Sequence, residues 1–144
     1  MVSGQYKVQV GDKNRLAIPK KIRDELDGCV YLTRGFDRSL ILFDDKMFDS
    51  FIREIDKGNY LNSEFRELKR YFVGGMVQIE YDIQGRFVLN ESLKNFASIG
   101  DTVYFIGINN WIEIWDSEIW IEREKKMIRN LNKISQDFLN SLNK

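Results

Sequence analysis

Side chains able to meet an anion crowd into residues 11–23, Gly-Asp-Lys-Asn-Arg-Leu-Ala-Ile-Pro-Lys-Lys-Ile-Arg. Lys13 and Arg15 sit in and just after a short polar turn sequence, and Lys20, Lys21 and Arg23 follow Pro19. Arginine offers planar, paired donors suited to phosphate and to the major-groove edge of guanine. A helix start adds free N–H groups that favour phosphate. On this chemistry Arg15 probes bases or phosphates, while Lys13, Lys20, Lys21 and Arg23 hold a nucleic-acid backbone. Other chemistries are poorly supplied. The chain has no histidine, so Ser/His/Asp triads, Cys/His pairs and histidine metal ligands are excluded. It carries no glycine-rich phosphate loop of standard spacing. The adjacent Asp44 and Asp45 suit a helix cap better than a pair of catalytic carboxylates. The expectation is a non-enzyme with no cofactor, no metal and no small-molecule substrate.

The same plan recurs 71 positions later, at residues 82–94, Asp-Ile-Gln-Gly-Arg-Phe-Val-Leu-Asn-Glu-Ser-Leu-Lys. At that offset Gly4 meets Gly75, Val8 meets Ile79, Arg15 meets Arg86, Leu16 meets Phe87 and Ile22 meets Leu93. Phe43-Asp44 meets Trp115-Asp116 after a one-residue slip. Two copies are too few for a solenoid. Half of a 144-residue chain is marginal as an independent domain, so the copies are predicted to interlock as one pseudo-twofold unit. Asn14 in one turn stands where Gly85 stands in the other, which predicts a positive φ there. Arg86 is then a second candidate for base or phosphate contact. The spacing fits equally an Asp82–Arg86 pair that fixes the hairpin, with the lysines merely solvated.

The surrounding elements follow from periodicity. Gln5–Val10 alternates as a half-buried strand, Leu16–Ile18 returns as a strand, and a helix opens at Pro19 and stops near Gly28. Val30–Leu32 and Leu40–Phe43 are predicted strands. Asp44 or Asp45 caps a helix to about residue 57, and Ser63 caps another carrying Phe65, Leu68 and Phe72. In the second copy Val77–Tyr81, Phe87–Leu89, Val103–Ile108 and Trp111–Trp115 are strands, with Asn90 capping a helix over 91–97. One long helix is predicted from Ser117 to about Leu142. Its stripe of Met127, Leu131, Ile134, Phe138 and Leu142 would dock on the body or, less readily, pair with another chain. The lone cysteine, Cys29, is expected to be buried and inert. Lys+Arg and Asp+Glu both number 22, so only the distribution of charge can point to a partner. Residues 1–35 hold seven bases against four acids, a local basic excess. Neither a signal region nor a run of about 18 apolar residues is present; the expectation is a soluble, intracellular protein without membrane contact.

Several motifs together, in order and at this spacing, resemble the MraZ family of the AbrB/MazE-like superfamily. Its second Asp-x-x-x-Arg motif stands complete as Asp82-Ile-Gln-Gly-Arg86. In the first, Lys13, Arg15, Pro19 and Arg23 match, but Gly11 holds the aspartate position and Asp12 comes one place late. Leu32-Thr-Arg-Gly-Phe36, Ile106-Gly-Ile-Asn-Asn110 and Glu113-Ile-Trp-Asp116 also match. In the second copy Gln84 replaces a base, Asn90 replaces proline, and Lys94 stands where the first has Arg23. The resemblance implies an α+β fold: a double-split, swapped-hairpin β-barrel built from two repeats with flanking helices. The implied division is residues 1–73 as the first repeat with two helices, 74–125 as the second, and 126–144 as a C-terminal helical extension. It also implies a cytoplasmic, nucleoid-associated regulator of the division and cell-wall gene cluster. Such a regulator would form a ring-like homo-oligomer on direct repeats in double-stranded promoter DNA. The implied DNA-binding set is Lys13, Arg15, Lys20, Lys21, Arg23 and Arg86, with Asp12, Asn14, Asp82 and Gly85 shaping the motifs. The alternative is an antitoxin-like or scaffolding protein-interaction module.

Overall fold

The structure is a computed structural model describing residues 1–143. The strands are β1 (Ser3–Gln9), β2 (Arg15–Ala17), β3 (Val30–Arg34), β4 (Leu40–Asp44), β5 (Val77–Ile79), β6 (Arg86–Val88), β7 (Thr102–Ile108) and β8 (Ile112–Asp116). The helices are α1 (Lys20–Arg23), α2 (Asp45–Ile55), α3 (Ser63–Phe72), α4 (Glu91–Phe96), α5 (Ser117–Arg129) and α6 (Leu131–Leu142). Six strands form one sheet in the order β1-β7-β8-β4-β3-β5, and β2 and β6 form a separate two-stranded ribbon. Every pairing is antiparallel.

The halves exchange strands. β1 of the first copy pairs along its whole length with β7 of the second, from Ser3↔Ile108 to Gln9↔Thr102. In return β5 of the second copy pairs with β3 of the first, Val30 facing Ile79. The sheet order is therefore symmetric about the β8–β4 boundary. On the ribbon Leu16 faces Phe87, its own counterpart in the repeat. Flanking this pair, Ile18 N–H donates to Gly85 O and Leu89 N–H donates to Asn14 O, both at 2.9 Å. These are the same bond in the two copies. This is the α+β double-split barrel, with one chain supplying both halves.

Packing explains why neither half closes alone. Leu16, Ile18, Ile22, Leu32, Leu40 and Leu42 from the first copy share one buried cluster with Phe87, Leu89, Leu93, Val103, Phe105, Ile112 and Ile114 from the second. β4 is buried on both faces: Leu40 and Leu42 enter that cluster, while Ile41 and Phe43 meet Phe72 and the aromatic faces of α2 and α3. The ribbon and the α2–α3 pair thus lie on opposite sides of the sheet. α5 docks through Trp120 against Trp115 and Ile106. Asp44 caps α2, its Oδ1 accepting from Met47 N–H at 2.9 Å. Asn90 caps α4 through Leu93 N–H at 2.8 Å.

Some local expectations are corrected. Asn62, not Ser63, caps α3, accepting from Glu64 and Phe65 N–H; Ser63 is its first residue. The long terminal helix is two helices, interrupted at Asn130 (φ −101°, ψ 11°). Asparagine is a weak helix former whose side chain competes with the helix backbone. α6 does not dock: it contains no buried residue, and Leu131, Ile134, Phe138, Leu139 and Leu142 are all exposed. Cys29 is exposed, not buried. It precedes β3, and its N–H is tied to Asp45 Oδ2 at 2.9 Å while its thiol stays outside the core.

A core shared in this way gives one cooperative unit. Leu16→Ala, at a fully buried position, should cost about 2–5 kcal/mol. Urea unfolding at fixed protomer concentration should keep a single transition; separate transitions for the two copies would contradict the shared core.

Candidate nucleic-acid interface

β2 and β6 have three residues each, and their central residues, Leu16 and Phe87, point into the core. Alternation therefore puts Arg15, Ala17, Arg86 and Val88 on the outer face. Arg15 stands opposite Val88, and Ala17 opposite Arg86. The two arginines are diagonal neighbours, about 7–8 Å apart by strand geometry. That is roughly two base-pair steps at about 3.4 Å each.

The turns feeding the two arginines share a backbone and differ in chemistry. In the second copy Asp82 N–H donates to Arg86 O at 3.1 Å; in the first Gly11 N–H donates to Arg15 O at 2.8 Å. Both turns use the left-handed region, with φ of 60° at Asn14 and 82° at Gly85. At Gly85 a Cβ would lie 2.6 Å from Arg23 Cδ and 2.7 Å from Ile18 O, so this position also needs the absence of a side chain.

Asp82 organises its turn completely. Its Oδ1 accepts from Gln84 and Arg86 N–H, and its Oδ2 accepts from Arg86 Nε, each at 2.9 Å. These bonds, led by the Arg86 backbone N–H, hold the carboxyl below its ordinary value. Arg86 is thus clamped through Nε, which leaves its outer nitrogens free on an exposed face. Gly11 has no carboxylate to offer Arg15, and Asp12 makes no ion pair with it. Arg15 is exposed and unpaired among the described residues. The first turn is held from the other copy instead. Asn14 Nδ2 donates to Glu91 Oε1 at 2.6 Å, and Lys94 Nζ donates to Asn14 Oδ1 at 2.7 Å.

Arg23 makes the reciprocal crossing. It is half-buried, and its guanidinium donates to Ile83 O at 2.7 Å across the second turn. The structure therefore separates it from Lys13, Lys20 and Lys21, which are exposed. Of those three only Lys20 has an acidic partner among the described residues, Asp24 at 3.0 Å. α1 is a single turn, so attraction for phosphate there rests on lysine charge more than on a helix dipole. Two apolar side chains not singled out from the sequence lie on the same elements: Val88, 64% exposed on the ribbon, and Ile83, 98% exposed at the second turn. Only the register between copies identifies Val88 as the neighbour of Arg15.

A clamp that accepts hydrogen bonds while charged stabilises the turn above the unfolded-state pKa of Asp82 and loses that effect as pH falls through the lowered native value. An NMR titration of the Asp82 carboxyl should give a midpoint below the ordinary 3.8. A midpoint at or above it would overturn the clamp.

Known proteins resemble the chain over most of its length. The family described as "MraZ protein, putative antitoxin-like" matches residues 1–71 and again 72–140. The chain is 36% identical over 120 residues to Transcriptional regulator MraZ of Roseiflexus castenholzii, covering 83% of this chain and 84% of that one. It is 34% identical to Transcriptional regulator MraZ of Mycoplasma mobile, over 93% of both chains. With the protein of the same name from Finegoldia magna it shares 32% identity over 99% of both. The two matched repeats coincide with the two halves that exchange strands here, and the chain belongs to the MraZ family.

Proposed function

We propose that this chain is a transcriptional regulator that binds double-stranded promoter DNA sequence-specifically through the outer face of the β2–β6 ribbon. The observation that carries this reading is Arg15, exposed and without an acidic partner among the described residues, on a strand whose other face is locked into the core. A rigid support lowers the entropic cost of aiming a long side chain. Arg15 takes the base edge, and Arg86, braced by Asp82, takes a second base or a phosphate. Lys13, Lys20 and Lys21 neutralise the DNA backbone, and Arg23 holds the second turn in position for them. The names of the relatives support the regulatory role. The target is the division and cell-wall gene cluster, including the promoter of the protein's own operon, and the working form is a ring-like homo-oligomer on direct repeats in the nucleoid. With zero net charge, one ribbon binds weakly; several joined ribbons on regularly spaced sites gain by effective concentration. In this reading residues 1–73 and 74–125 are the two ribbon-forming repeats, and 126–144 is an extension outside the DNA contact.

A second reading, a protein-interaction module, is favoured by one observation: the apolar residues of α6 are exposed along the helix. Deleting residues 130–144 separates the two. Promoter binding should persist in the truncation under the first reading; under the second, the full-length chain shows no promoter specificity and the truncation loses its protein partner.

Arg15→Ala should weaken binding to a promoter fragment bearing direct repeats by about 1–3 kcal/mol per engaged protomer, with the oligomer unchanged by size-exclusion chromatography. Wild-type affinity should fall steeply with salt, as expected when phosphate contacts release counterions. Unchanged gel-shift affinity in the variant would refute the assignment.

A further inference from the structure

We infer that Val88 reads the C5-methyl group of a thymine next to the base met by Arg15, so that the ribbon recognises a guanine–thymine pairing of contacts rather than an arginine contact alone. This rests on the DNA-binding reading above. Val88 faces Arg15 directly across the ribbon. Opposed Cβ atoms on such a ribbon lie about 4.5–5.5 Å apart, between one and two base steps of about 3.4 Å. A guanidinium aimed at a base edge therefore brings the valine methyls to a neighbouring base in the same groove.

The surface itself is unusual in composition. Val88 is 64% exposed and lies between two cationic side chains, Arg15 across from it and Arg86 two residues before it on its own strand. Its strand neighbours Phe87 and Leu89 both turn into the core, and Val88 stands at the rim of a shallow cleft it shares with Val77 and Ile79 of β5. In the major groove the thymine methyl is the apolar mark among hydrogen-bonding groups, and apolar side chains meet it. The symmetry partner of the Arg15–Val88 pair is Arg86–Ala17. The smaller alanine, half-buried, reaches less far from the ribbon. The two ends of one pseudo-symmetric ribbon therefore differ in apolar reach, and Val88 marks the end beside the unclamped arginine.

The test uses the full-length protein and a duplex spanning the direct repeats of its own promoter, prepared once with thymine and once with deoxyuridine throughout. Deoxyuridine keeps every hydrogen-bonding group and lacks only the methyl. Burying one methyl corresponds to roughly fourfold in affinity for each engaged protomer. Wild type should bind the thymine duplex tighter by at least that factor. Val88→Ser should bind both duplexes alike, at the wild-type affinity for the deoxyuridine duplex, with unchanged circular dichroism and oligomer size. Equal wild-type binding to both duplexes overturns the inference without needing any variant, and so does a thymine preference that survives Val88→Ser. Neither result touches the DNA-binding reading. Failure of wild type to bind either duplex at low salt would sink that reading and this inference together.

Discussion

The contact between Leu16 and Phe87 sets the frame for everything else. Each residue is the repeat counterpart of the other, and they meet on the pseudo-twofold axis at the centre of a three-by-three-residue ribbon. A two-stranded ribbon this short has no independent stability. It persists because both central side chains insert into a core that neither copy can close alone. The exchange of β1 and β5 between copies serves the same end from the sheet side. Burial of the inner face then dictates the outer one: with Leu16 and Phe87 inward, Arg15, Ala17, Arg86 and Val88 have no choice but to point out.

On this symmetric frame the chain places unequal chemistry. A charged acceptor at Asp82 fixes Arg86 by charge-assisted hydrogen bonds to backbone and side chain. Glycine at the matching position leaves Arg15 free, and the turn takes its support from the second copy through Asn14, Glu91 and Lys94. Reciprocally, Arg23 of the first copy supports the second turn through Ile83 O. Each turn is thus stabilised by a base from the other half. One arginine is oriented in advance and the other is left adaptable, a combination suited to fixing register with one contact and reading with another.

The repeat was legible because counterparts such as Leu16 and Phe87, or Asn14 and Gly85, answer to the same local demand for burial or a positive φ. The strands, the helix caps at Asp44 and Asn90 and the MraZ resemblance followed from short-range patterns of that kind. What the sequence hid was long-range. Periodicity cannot say that β1 leaves its own copy to pair with β7, and without that register Val88 is one more valine in a strand. By sequence Arg23 is one of four bases around the turn and helix start expected to hold a nucleic-acid backbone, since nothing local marks that its guanidinium crosses to Ile83. The apolar run after Cys29 suggested burial, but the thiol sits one residue before the strand that carries the pattern. α6 carries a regular stripe, yet a stripe shows only that a face wants covering, and this chain does not cover it.

Neutral overall charge is compatible with an anionic partner because charges cancel unevenly through the molecule. On the side of the sheet bearing α2 and α3, Lys57 pairs with Glu54, Lys69 with Asp56 and Arg70 with Glu67. Those cations are already matched locally, and at a Debye length of about 8 Å in physiological salt their fields barely reach the opposite face. On the ribbon side Lys13, Arg15 and Lys21 have no acidic partner among the described residues. The potential that an approaching phosphate meets is set chiefly by the charges within a Debye length; there Asp24 and Asp82 are already paired with Lys20 and Arg86, while Lys13, Arg15 and Lys21 stand unmatched beside Asp12. Pairing, more than net charge, gives the molecule a face.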